Sequence, residues 1–269
     1  MKKAIIYTLA YLAIQLIGST IVLGIMMLIE GKYVQMTAPM MIVAMTIAAV
    51  TTFGVYLYLH WAEVSRSWLQ TRPWTVLAWC CVAALGAIIP SVWLQEQMPE
   101  LPNLAEQQLD MIMKDRWGYF AVGILAPVAE ELVFRGAVLR ALLRWKEDSF
   151  KGDRRWAWGM IALSAVFFSL VHGNPAQMPH AFLIGLLLGW MYWRTGSIIP
   201  GVAYHWINNS VAYVMYNLYP DPSMKLADLF GGSQQHVLMA VGFSLLILLP
   251  ALYQLNLWMK RAPDEATSI

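Results

Sequence analysis

The sequence predicts an all-α, polytopic integral membrane protein of about eight transmembrane helices enclosing an intramembrane polar site. Three observations carry this. Only 13% of the 269 residues are charged and 59% are hydrophobic, where soluble domains carry about 25% charge. Mean hydropathy is accordingly high, at +0.55. Eight runs, at about 4–29, 39–60, 73–94, 117–143, 157–172, 178–193, 198–219 and 237–258, are long and apolar in the manner of membrane-crossing helices. The basic residues are distributed unevenly between the two sides of that arrangement.

The first run follows Lys2 and Lys3. It is too long for the apolar core of a signal peptide, so it is read as an uncleaved span. Eight spans put both ends on one side. Lys2, Lys3, Arg66, Arg72, Arg140, Arg144, Lys146, Lys151, Arg154, Arg155, Arg194, Lys260 and Arg261 fall there, against Lys32, Lys114, Arg116 and Lys225 opposite. Thirteen against four predicts cytoplasmic termini, in a plasma (inner) membrane. The fifth and sixth runs are short and separated by Gly173-Asn174-Pro175, so a re-entrant pair is the alternative.

The net charge of +2 gives no reason to expect a nucleic-acid partner, and thirteen Trp and twelve Tyr suit interfacial belts. Cys80 and Cys81 are neighbours and are not expected to pair. Between the third and fourth runs, Asn103 followed by Glu106 predicts a capping-box helix start. Leu104, Leu109, Ile112 and Met113 then form one apolar stripe, giving a short helix on the outer membrane surface. With no internal repeat, residues 1–269 read as a single membrane domain.

Ionisable residues inside spans mark functional sites by default, because each costs roughly 2.5 kcal/mol or more at bilayer depth. The fourth run holds Glu130, Glu131 and Arg135, the fifth ends in Phe168 and His172, and the seventh holds His205 and Asn209. Glu131 and Arg135 share a helix face and can pair. Glu130 is turned about 100° away and can face a cavity. Pro127 cannot donate to the Gly123 carbonyl, so a kink is expected there. His60, His180 and His236 read as interfacial histidines.

A buried carboxylate of raised pKa can take a proton from water. One histidine can hold that water, and a second with an amide can donate to a developing oxyanion. Those parts suffice for peptide hydrolysis without a serine or cysteine nucleophile. The same parts could instead place Zn²⁺ on Glu130, His172 and His205, although the helix signature HExxH is absent. Intramembrane Glu, Arg and His are also the parts of a proton-coupled transporter, against which stands the absence of an inverted repeat.

The motifs EELVFR at 130–135, FSLVH at 168–172 and HWINN at 205–209 resemble EExxxR, FxxxH and HxxxN of the CPBP family, the CAAX proteases and bacteriocin-processing enzymes also called the Abi family. The resemblance covers about residues 115–215, which it marks as a catalytic core. It implies an intramembrane endopeptidase acting on a membrane-associated peptide or protein, prenylated in the eukaryotic branch. It also implies the roles. Glu130 activates water, and Glu131 with Arg135 supports and orients the site. His172 positions the water, and His205 with Asn209 forms the oxyanion hole. The family is widely labelled a metalloprotease, yet the glutamate-water scheme needs no metal, and a non-catalytic bacteriocin-immunity role is a further alternative. Straight helices would hold these groups apart, since His172 falls near the outer end of its run and His205 roughly 12 Å from the inner end of its own. Breaks at Pro127, Pro175 and Pro200 are expected to resolve this.

Overall fold

A computed structural model describes the chain except residues 64–65, 72, 146–152, 220, 222–223 and 262–269, and the side chains of 66 and 67. Arg66, Arg72, Lys146 and Lys151 of the basic-residue comparison therefore lie outside the described side chains, as does much of the basic stretch 140–155. The described residues form helices and no strand. In order these are α1 (Lys2–Glu30), α2 (Ala38–Tyr58), the short α3 (Arg66–Gln70), α4 (Trp74–Glu96) and α5 (Glu106–Lys114). A helical run over 119–143, called α6, follows. After it come α7 (Arg154–Leu170), α8 (Met178–Thr195), α9 (Ile199–Leu218), the single turn α10 (Leu226–Leu229) and α11 (Gln234–Trp258).

Four helices, α1, α2, α4 and α11, are long and apolar enough to cross a membrane by length and composition. Their length and composition are those of an integral membrane protein. Their exposed side chains are apolar, such as Leu28, Val50, Leu85 and Leu246, which suits contact with lipid. The polar motifs sit elsewhere, on α6, the end of α7, and α9.

Small residues set the closest approaches. Gly86 brings α4 against the backbone of α11, where an added methyl would stand 2.8 Å from the Leu248 nitrogen. Gly185 and Gly189 do the same for α8 on α7, against Ala165 and Ile161. Such small-residue contacts replace the hydrophobic drive that lipid cannot supply.

Polar side chains join α9 to the segment leading into α6. Tyr213 donates to the Asp115 carbonyl, Asn217 to the Met113 carbonyl, and Trp206 to the Tyr119 hydroxyl, which also meets Ser210. Tyr216 donates to Asp110 on α5. Lys114 first, and then Tyr216, hold the Asp110 carboxyl below its usual range.

The structure corrects two expectations here. The capping box at Asn103 does not form: α5 begins after Ala105 without a side-chain cap. Asn103 instead accepts from the buried Asn174, whose own oxygen accepts from the Leu104 amide. This ties the loop before α5 to the loop between α7 and α8. The apolar stripe is also incomplete, because Ile112 and Met113 are buried while Leu104 is exposed. Cys80 and Cys81 are both free.

Replacing Gly86 by Val forces α4 off α11. We expect a loss of about 1–3 kcal/mol, read as a lower unfolding temperature in detergent. Gly54→Ala, which meets nothing within 4 Å, should not lower that temperature, since alanine suits a helix interior better than glycine.

Candidate active site

The site begins with a change of helical winding. Within α6, residues Tyr119–Leu125 are π-helical, Ala126–Glu131 α-helical, Leu132–Leu139 π-helical again, and Arg140–Leu143 α-helical. Single π turns concentrate at functional positions. In the first π segment the Ala126 amide donates to Ala121, five residues back. In that register the next amide, at residue 127, would serve Val122, and Pro127 has none. The orphaned carbonyl is therefore Val122, not the expected Gly123, and the irregularity at Pro127 takes the form of wider winding. Asn209 fills the gap, its Nδ2 donating to the Val122 oxygen at 3.0 Å. Of the other expected breaks, Pro175 lies in the α7–α8 loop, while Pro200 sits in the first turn of α9, where proline interrupts nothing.

Glu131 and Arg135 form the expected pair, Nη1 to Oε1 at 2.8 Å, with side chains 0% and 1% exposed. Arg135 also donates to the Gly185 carbonyl at 3.3 Å and lays its guanidinium 4.4 Å from the Phe168 ring centre. His205 bridges the two carboxylates. Its Nδ1 is 3.2 Å from Glu131 Oε1, and its Nε2 is 3.8 Å from Glu130 Oε2. The first contact, to a carboxylate that only accepts, assigns the Nδ1 proton to that side. The second is too long for a direct hydrogen bond. Glu131 Oε2 lies against Gly201, where an added methyl would approach to 2.6 Å.

Phe168 holds the histidines together. The His172 and His205 rings both stand edge-on to it, with centroids at 5.0 and 5.8 Å. His172 lies just past the end of α7, its Nδ1 2.8 Å from the Phe168 carbonyl. Glu130 and His172 face one cavity of about 240 Å³. The structure thus brings Glu130, Glu131, Arg135 and His205 into direct proximity. It joins His172 to them through Phe168 and the cavity, and sets Asn209 on the turn that precedes Glu130.

Other contributors escaped the sequence reading. His180, read as interfacial, is half-buried and has partners on two other helices. Its Nδ1 is 2.6 Å from Ser91 Oγ, and its Nε2 is 3.5 Å from Asn208, which in turn reaches the Asn209 oxygen at 3.4 Å. No motif spacing announced this chain. Tyr11 and Gln15 on α1 also line the Glu130 cavity, and two polar groups one turn apart in an apolar run were a readable signal.

The donor set does not fit the zinc alternative. Among the described residues no three His, Cys, Asp or Glu side chains are gathered closely enough to hold a metal ion.

Two outcomes follow. Arg135→Ala strands a buried carboxylate and should destabilise the fold by about 3–5 kcal/mol. Lys in its place should not restore stability, since it cannot both fork and stack. Asn209→Ala should destabilise wild type by on the order of 1 kcal/mol, but much less in a Pro127→Ala background that returns an amide opposite Val122. A double-mutant cycle from unfolding curves checks this.

Residues 113–211 match the family model described as type II CAAX prenyl endopeptidase Rce1-like. No curated protein and no solved structure matched the chain. The matched segment spans just over a third of the chain and contains Glu130, Glu131, Arg135, His172, His205 and Asn209, so this part of the chain is similar to that protease family.

Proposed function

We propose that the chain is an intramembrane endopeptidase of the CAAX-protease type, hydrolysing a peptide bond of a membrane-associated peptide or protein with a water activated by Glu130. One observation carries this reading. Of two adjacent carboxylates, Glu131 is buried and held by Arg135 and His205, while the half-buried Glu130 faces a cavity that it shares with His172. A structural ion pair alone would need only the first.

In this scheme His172 holds the water through the ring nitrogen not engaged with Phe168. Glu130 removes its proton as the water oxygen attacks the peptide carbonyl carbon. The oxyanion meets the second amide proton of Asn209 and Nε2–H of His205. Because Nδ1–H is directed at Glu131, His205 donates through Nε2 only when it carries both protons. Collapse of the intermediate breaks the C–N bond, and Glu130 returns its proton to the leaving amine. No step needs a metal.

The topology belongs to the same proposal. The four apolar helices together with α6, α7, α8 and α9 make eight crossings, with both termini cytoplasmic in an inner membrane. Contacts that join Lys2 and Lys3 to the end of α6, and Arg194 to the end of α11, support this by collecting basic residues at one end. Helix α5 lies at the outer surface, and the substrate approaches from the cytoplasmic side.

Glu130→Gln should lower cleavage of a membrane-protein substrate by about 10²–10⁴-fold while leaving the unfolding temperature unchanged. A purified Glu130→Gln protein that cleaves normally would end this scheme. Proton uptake into proteoliposomes that depends on Glu130, with no cleavage, would indicate a transporter instead.

A further inference from the structure

A second cavity, of about 650 Å³, opens where α1 begins and α6 ends. Four cations line it, Lys2 and Lys3 from α1 and Arg140 and Arg144 from α6, alongside Trp61 and Trp145. The acid beside it, Glu63, is paired with Arg140. Among the described residues no ion pair or hydrogen bond engages the side chains of Lys2, Lys3 or Arg144. Positive charge gathered along one cavity attracts an anion. The uncapped first turn of α1 adds amides to the same place.

This cavity is separate from the candidate active site. Glu130 lies ten residues before Arg140 along α6. Between them stands an aromatic wall: Tyr7 on Trp61 at 4.8 Å, Tyr7 on Tyr56 at 6.3 Å, and Tyr11 on Phe134 at 5.6 Å. The catalytic scheme makes no use of the four cations.

The surface beside the cavity identifies the anion. Lys2 shares a helix face with Ile5, Ile6 and Leu9, which are 43%, 53% and 58% exposed. A cation at the end of an apolar exposed stripe, flanked by tryptophans, has the pattern of a headgroup-level site with acyl chains alongside. We infer that this cavity binds the phosphate of an anionic phospholipid, whose acyl chains lie along the exposed face of α1. The inference stands apart from the catalytic reading, because none of its residues acts in that scheme.

The test uses the full chain in non-ionic detergent and native mass spectrometry, with dioleoylphosphatidylglycerol, dioleoylphosphatidylcholine and inorganic phosphate as probes. Wild type should retain phosphatidylglycerol at least fivefold over phosphatidylcholine. The pair Lys2→Glu and Arg144→Glu should lose that preference with an unchanged lipid-free unfolding temperature. Lys32→Glu with Lys225→Glu, at the other end of the molecule, should keep it. If charge reversal lowers the unfolding temperature, Arg144→Gln alone is read for the same loss of preference. Equal retention of both lipids overturns the inference, as does full retention by the Arg144 variants. Inorganic phosphate that displaces the lipid at equal concentration would make this a soluble-anion site, and displacement by a peptide's free carboxyl terminus would make it a peptide site. Either result overturns the lipid assignment.

Discussion

The pair of Glu131 with Arg135 is the contact around which the site is arranged. Both side chains are shut away from solvent, and a charge so placed persists only with a partner and satisfied neighbours. The neighbours come from three other helices: the Gly185 carbonyl from α8, the Phe168 ring from α7, and His205 and the bare Cα of Gly201 from α9. A pair that would be a liability in isolation thereby fixes the mutual placement of four helices. It also fixes which nitrogen of His205 points at Glu130.

The same arrangement explains why two adjacent glutamates differ in fate. Glu131 is immobilised from several sides, whereas Glu130, one residue earlier, borders open volume. Asn209 couples the second part of this to α9, because it closes the backbone gap left by Pro127 just before the carboxylates. Its remaining amide proton is therefore presented by a side chain already anchored at one edge. An anchored donor needs little reorganisation when charge develops nearby.

Much of this was legible in residue spacing. The separation of four between Glu131 and Arg135 is a helix-face relation, and it survives the change of winding around it. Helix positions followed from long apolar runs, as in α2 and α11. What stayed hidden depended on through-space contacts. Nothing local distinguishes His180 from a histidine at a membrane surface until Ser91, 89 residues earlier, stands beside it. Asn103 had the right neighbour for a helix cap, but the buried Asn174 took it. Pro127 signalled a break, yet only the register of the chain before it decided that Val122 rather than Gly123 would lose its partner. The cavity contribution of α1 was missed because the run holding Tyr11 and Gln15 was read only as an uncleaved span.

The two π segments that bracket Ala126–Glu131 bear on how such a chain tolerates insertions and deletions. A π turn is how a helix accommodates one surplus residue without changing what lies beyond it. With one such turn on each side, the six residues carrying both carboxylates are buffered from changes in length at either end of α6. Their rotational phase is set laterally, by Asn209 and Arg135, rather than inherited turn by turn from the membrane surface. The chain before α6 can then vary in length without turning Glu130 away from its cavity.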